Sequence, residues 1–214
     1  MTNDTVRHDT LAATLGRGPV IPVIVIENLA HAVPLAQALV AGGLTVLEVT
    51  LRTPVALEAI ALMRAALPEA IVGVGTVLHA EQLHAAAEAG ARFAVSPGLT
   101  DALATAALAQ SVPLLPGIAT VSEAMAARER GLRHLKFFPA EAAGGAKFLS
   151  SLASVIPDLA FCPTGGIGPA NAGSYLALPN VACVGGSWMI PKDRILSGDW
   201  AGIETLAREA AGLR

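Results

Sequence analysis

The sequence predicts an α/β protein folded as a single (β/α)8 TIM barrel over residues 1–214, with an additional helix ahead of the first strand. Three observations carry that expectation. Eight short apolar or β-branched runs recur along the chain. Ala- and Leu-rich segments with helical spacing separate them, so strand and helix alternate strictly, the pattern of a parallel sheet. The first run passes into Ile26-Glu27-Asn28, without the glycine-rich turn an open doubly wound sheet places there.

The runs fall near residues 20–26, 45–51, 71–77, 92–97, 112–118, 134–140, 159–164 and 181–187. Their starts lie roughly 20 to 26 residues apart, room for one crossover helix each. Helical spacing appears over 30–41, 54–67, 80–89, 101–110 and 122–130. A helix over about 5–15 precedes the first strand and a last one runs from about 199 to 211, both outside the strands. Glycines collect as Gly165-Gly166 and Gly185-Gly186, after the last two strands, where barrels commonly hold a phosphate.

Composition narrows the function classes. The chain is 53% hydrophobic and 14% charged, which suits buried strands and tight turns and excludes disorder. A net charge of -3 leaves no basic surface to displace counterions, so nucleic acid is not an expected partner. The opening MTNDTVRHDT lacks a secretory pattern, and a cytoplasmic location is expected. The uncharged stretches 28–47 and 102–122 are interrupted by Pro, Gln or Gly, so no membrane span is expected. Cys162 and Cys183, both in apolar runs, read as buried reduced thiols rather than a disulfide scaffold.

The chain has three lysines. Lys147 falls in a helical segment and Lys192 in the loop after the last strand; Lys136 alone lies within a strand, flanked by Leu135, Phe137, Phe138 and Pro139. A free lysine, with a pKa of about 10.4, is neutral in only about one molecule in 2500 at pH 7. An amine nucleophile therefore needs surroundings that favour its neutral form, and apolar flanks supply them. A strand-end lysine or a structural ion pair is the plainer alternative.

Glu48 is the second unusual residue, an acid interior to the run Thr45-Val46-Leu47-Glu48-Val49-Thr50-Leu51. Leu47, Val49 and Leu51 form one apolar face for the helices, which turns Val46, Glu48 and Thr50 toward the barrel axis. Strands two and six lie opposite one another in an eight-stranded barrel, so Glu48 can face Lys136 as a general acid/base or as its ion-pair partner. Arg52, at the end of the same strand, suits a bidentate grip on a substrate carboxylate, and Thr76 ends strand three with a hydroxyl. Thr164-Gly165-Gly166 and Gly185-Gly186-Ser187 read as two halves of a phosphate cradle. The histidines are scattered, and neither a metal nor another cofactor is expected.

In combination and order, Glu48-Val49-Thr50-Leu51-Arg52-Thr53, Gly73-Val74-Gly75-Thr76-Val77, Ser96-Pro97-Gly98, Lys136-Phe137-Phe138-Pro139-Ala140, Thr164-Gly165-Gly166-Ile167 and Gly185-Gly186-Ser187-Trp188 resemble the 2-keto-3-deoxy-6-phosphogluconate (KDPG) and 4-hydroxy-2-oxoglutarate (KHG) aldolases over nearly the whole chain. The resemblance implies a metal-independent aldolase with Lys136 as Schiff-base lysine and Glu48 as acid/base. It implies that Arg52 and Thr76 bind the keto-acid carboxylate and that Pro97 and Phe138 shape the pocket. Thr164, Gly165, Gly166, Gly186 and Ser187 would hold the phosphate end, and the assembly would be a homotrimer. The chain departs from the resemblance at Gly168, which has no side chain where close relatives often carry Ser. Two other readings fit a barrel of this type: a phosphosugar isomerase or epimerase without an imine, and a non-catalytic phosphosugar-binding protein.

Overall fold

A computed structural model describes residues 10–213. Residues 10–15 form α1, the visible part of the expected leading helix; residues 5–9 of that expectation lie outside the described residues. Strand and helix then alternate through β1 (Val20–Ile24), α2 (Ala32–Ala41), β2 (Val46–Thr50), α3 (Ala56–Ala66), β3 (Ile71–Gly75), α4 (Ala80–Glu88), β4 (Ala94–Val95) and α5 (Asp101–Ala109). The second half runs through β5 (Leu114–Leu115), β6 (Gly117–Ile118), α6 (Val121–Glu129), β7 (His134–Phe137), α7 (Gly145–Leu152), β8 (Ala160–Pro163), α8 (Ala172–Leu176) and β9 (Val184–Gly186). Helices α9 (Lys192–Ser197) and α10 (Trp200–Ala211) close the described chain.

All strand pairings are parallel, in the orders β5-β4-β3-β2-β1-β9 and β6-β7-β8. The bridges Phe161↔Val181 and Thr164↔Gly185 join β8 to β9 and close that side of the ring. The fifth expected strand is split into β5 and β6 at Pro116, which has no N–H for the ladder. Its carbonyl still accepts from the Lys136 N–H at 2.8 Å, so nine segments fill the eight expected positions. Another difference concerns residues 30–41, where Leu29–His31 form a 3-10 turn before α2, with Asn28 accepting from the Ala30 N–H.

Alternation along each strand sorts side chains into two cores. The outward set, including Leu47, Val49, Val72, Val74, Leu135 and Phe137, packs under the helices. A smaller inward set comprises Leu11, Leu15, Ile21, Val46, Phe93, Val95, Leu115, Cys162 and Cys183. Leu11 and Leu15 belong to α1, which thus closes the end of the barrel at which the strands begin. At the ring's outside, Gly42 lets α10 approach α2, because a Cβ there would come within 2.5 Å of the Ala207 Cβ. Among the described residues, no helix is long and apolar enough to cross a membrane.

Candidate active site

Strand β2 delivers Glu48 into the barrel by the alternation read from its sequence. Leu47 and Val49 face the helices, while Glu48 is buried at 4% exposure on the inner side. Space for its carboxyl comes from the neighbouring strand, where a Cβ on Gly75 would lie 2.7 Å from the Glu48 Cγ. A small residue is thus required beside a large polar one.

Across the interior, β7 carries Lys136 between Gly117 on one side and Cys162 on the other. The lysine is 5% exposed, and its Nζ donates to Glu48 Oε1 at 3.4 Å. The Phe138 ring centroid stands 5.4 Å from the same nitrogen. This single contact is long for a charge-assisted hydrogen bond, which is typically about 2.7–2.9 Å. Neither side chain has another hydrogen-bond partner among the described residues. A buried pair made for stability saturates its donors and lone pairs; this one leaves most of them available.

Around this pair, the strand ends carry the other sequence-derived candidates. Arg52 is exposed just beyond β2, in a loop held to the end of the first strand by Thr50 Oγ1 donating to Ile24 O at 2.9 Å and Thr53 Oγ1 donating to Ile26 O at 2.6 Å. Thr76 follows β3 with φ of 60°, the left-handed region in which a β-branched residue costs about 1–3 kcal/mol. It is the one positive-φ residue other than glycine among the described residues. Pro97 and Phe138 are half-buried at the ends of β4 and β7.

The two glycine pairs come together through the Thr164↔Gly185 bridge. Gly165 and Gly166 take φ of 104° and 76°, so the chain bends sharply after β8 in a way that side chains disfavour. Thr164 is buried, and its Oγ1 has no hydrogen-bond partner among the described residues. Gly186 is buried at the end of β9 and Ser187 is exposed beyond it. Although Gly168 offers no side chain, Asn171 secures the same loop: its Oδ1 accepts from the Gly168 N–H at 2.8 Å and its Nδ2 donates to Gly166 O at 3.0 Å.

Several parts of the site were not singled out from the sequence. Ser96, fully buried after β4, has an Oγ without a partner among the described residues. Glu141 lies against Gly166, where a Cβ would meet its Cγ at 2.7 Å, and its N–H donates to Gly165 O at 3.1 Å. The buried Tyr175 hydroxyl donates to Glu141 Oε1. Burial first, then that hydrogen bond and charge, raise the phenol well above its usual range, so Tyr175 is a fixed donor at any ordinary pH. The Phe-Pro-Ala-Glu loop after β7 is thereby tied to the glycine turn after β8. One placement from the sequence needs correction: Lys192 is the first residue of α9, not a loop residue, because a six-residue helix begins directly after Pro191, its N-cap.

Below the pair, Cys162 and Cys183 are buried free thiols. A hydrogen bond with Cys162, then burial, hold Cys183 well above the ordinary thiol range. Among the described residues, no group of three His, Cys, Asp or Glu side chains converges as a metal site.

A family model for KDPG and KHG aldolase matches residues 11–206. The KHG/KDPG aldolase of Escherichia coli (strain K12) is 57% identical over 196 residues, covering 92% of each chain. The 2-dehydro-3-deoxy-phosphogluconate aldolase of Zymomonas mobilis subsp. mobilis is 54% identical over 196 residues, again 92% of each. Among solved structures, the KDPG aldolase of Legionella pneumophila, with pyruvate captured as a covalent carbinolamine intermediate, superposes with a TM-score of 0.92. It is 50% identical and covers 94% of this chain and 98% of that one. The Zymomonas mobilis ZM4 enzyme with 3-phosphoglycerate gives 0.92 at 51% identity, with 97% of each chain covered.

Proposed function

The chain belongs to the KDPG and KHG aldolase family, and on that premise we propose how its residues carry out class I cleavage of 2-keto-3-deoxy-6-phosphogluconate to pyruvate and glyceraldehyde 3-phosphate. The observation that carries the assignment of roles is the buried, under-bonded Lys136–Glu48 pair at 3.4 Å. Lys136 Nζ adds to the ketone carbon C2, and loss of water from the carbinolamine leaves an iminium. The C3–C4 bond then breaks, its electron pair moving into the iminium to form an enamine. Glu48 takes the proton of the C4 hydroxyl, so that the C4 carbonyl forms as the bond breaks. Protonation at C3 and hydrolysis release pyruvate and return the free amine.

The rim residues divide the substrate between them. Arg52 and Thr76 take the carboxylate beside the ketone, with Pro97 and Phe138 bounding the reacting carbons. The Thr164 hydroxyl, the backbone of Gly165, Gly166 and Gly186, and Ser187 receive the phosphate end. The E. coli relative bears a name covering both substrates, which supports a second cleavage here, of 4-hydroxy-2-oxoglutarate to pyruvate and glyoxylate. We also propose a homotrimer on the strength of the family resemblance, checked by light scattering coupled to gel filtration.

The deciding experiment incubates the protein with pyruvate, EDTA and borohydride and maps the product by mass spectrometry. A reduced pyruvyl adduct on Lys136 is expected. A folded protein that yields no adduct would favour the isomerase or binding-protein reading and remove the imine.

A further inference from the structure

A cavity of about 470 Å³ opens beside the barrel mouth, between the loop after β1 and the segment that leads from β9 into α9. Val23, Val25 and Ile195 contribute apolar wall, and Ser187, Glu27 and Lys192 line it with polar groups. One of its walls, Val23, is the register partner of Glu48 in the adjoining strand, and another, Ser187, follows the glycine pair at the end of β9. Lys192 Nζ donates to Glu27 Oε1 at 2.8 Å, joining the first residue of α9 to the loop after β1, 165 residues away. The lysine and glutamate side chains are 69% and 59% exposed. Such an ion pair is weakly held and exchanges partners readily.

The cradle at the end of β8 and β9 supplies amide and hydroxyl donors but no positive side chain. A phosphate monoester brings a charge of roughly -1.5 to -2 at neutral pH, and a cation nearby strengthens its binding more than further neutral donors do. Arg52 is assigned to the other end of the substrate. Arg194, the next cation along α9, is engaged with Asp199 at 2.7 Å and does not line the cavity. Lys192 shares the cavity wall with Ser187.

We propose that Lys192 is a specificity-determining residue that leaves Glu27 to pair with the distal phosphate of the substrate, and that Glu27 competes for it in the unliganded enzyme. The inference rests on the aldolase reading of Lys136 and Glu48. It makes preference for phosphorylated over unphosphorylated keto acids a property of an exposed ion pair outside the barrel.

Lys192→Met and Glu27→Gln, each compared with the unsubstituted enzyme on 2-keto-3-deoxy-6-phosphogluconate and on 4-hydroxy-2-oxoglutarate, test it. Lys192→Met is expected to raise KM for the phosphorylated substrate about tenfold or more, the loss of one hydrogen bond to a charged group, with kcat held. The unphosphorylated substrate should show no such rise. Glu27→Gln should lower KM for the phosphorylated substrate by removing the competitor. An unchanged KM in both variants, or an equal rise on both substrates, overturns the proposal. Pyruvate trapping on Lys136 in each variant separates the two levels: failure to trap in the unsubstituted enzyme would defeat the aldolase reading itself, and this inference with it.

Discussion

The two halves of the barrel interior are built from the same strands and do opposite things. Along β2 the inward side chains are Val46, then Glu48, then Thr50. Cys162 in β8 comes before Thr164 just beyond that strand, and Cys183, just ahead of β9, comes before the Gly185 that faces the Thr164 side chain. Two residues of strand, roughly 6.6 Å, separate hydrocarbon and thiol from carboxylate, amine and hydroxyl. The lower half, sealed by Leu11 and Leu15, removes water from beneath Lys136 and Glu48. Among the described residues, the upper half gives no hydrogen-bond partner to Thr164 Oγ1 or Ser96 Oγ and only one contact to the central pair. Apolar packing below and polar side chains above separate what holds the barrel together from what can do chemistry.

The comparison breaks most decisively at Lys136. Lys136→Ala should abolish both turnover and pyruvate trapping, and near wild-type activity would remove the imine mechanism. The same change leaves Glu48 buried alone, so the folded state should lose up to about 3–5 kcal/mol. Adding Glu48→Gln should return part of that loss, read from thermal denaturation of the single and double variants. On its own, Glu48→Gln should lower kcat by roughly 10²-fold or more while borohydride still finds the lysine. An unchanged kcat would leave Glu48 as a structural counter-ion.

In the lower half the expected effects change kind. Leu15→Ala should cost about 2–5 kcal/mol in denaturant unfolding and leave kcat alone, since it removes sealing volume and touches no polar group of the site. A large fall in kcat at constant fold would mean that the two halves are not separable. The smallest effect is the thiol titration. Because Cys183 ionises at higher pH in the folded chain than in the unfolded one, its contribution to stability is present below the unfolded thiol pKa of about 8.5 and is lost as pH rises above it. The melting temperature of the parent protein should therefore fall faster between pH 8 and pH 10 than that of Cys183→Ala, and thiol reagents should label neither cysteine until the chain unfolds.

The barrel was legible because strand runs and helical spacing are local signals that repeat. Glu48 and Lys136 stood out for the same reason: a charge among Val, Leu and Phe conflicts with its surroundings, and alternation gives its direction. What escaped the sequence depends on contacts between distant segments. Glu141 reads as an ordinary loop acid, and only the fold brings Tyr175, 34 residues later, to its carboxylate. Ser96 is ordinary as a residue and unusual only in being buried with no hydrogen-bond partner for its Oγ among the described residues. The break at Pro116 was visible as a proline but not as a strand that resumes beyond it. Lys192 reads as a loop residue because a six-residue helix carries too little periodicity to register. Its partner Glu27 lies at the far end of the chain, beyond any pattern in the sequence.

The α1 plug makes the barrel a cup rather than a tube, its floor packed with Leu11 and Leu15 and its polar side chains at the opposite end. In the proposed mechanism the pyruvyl fragment is tethered to Lys136, below the rim, and the aldehyde is not. Departure is then ordered, aldehyde first and pyruvate last. During that interval the cup would hold a carbon nucleophile, the enamine. An incoming aldehyde small enough to pass the rim meets it there, so the same geometry that cleaves a carbon–carbon bond is arranged to make one.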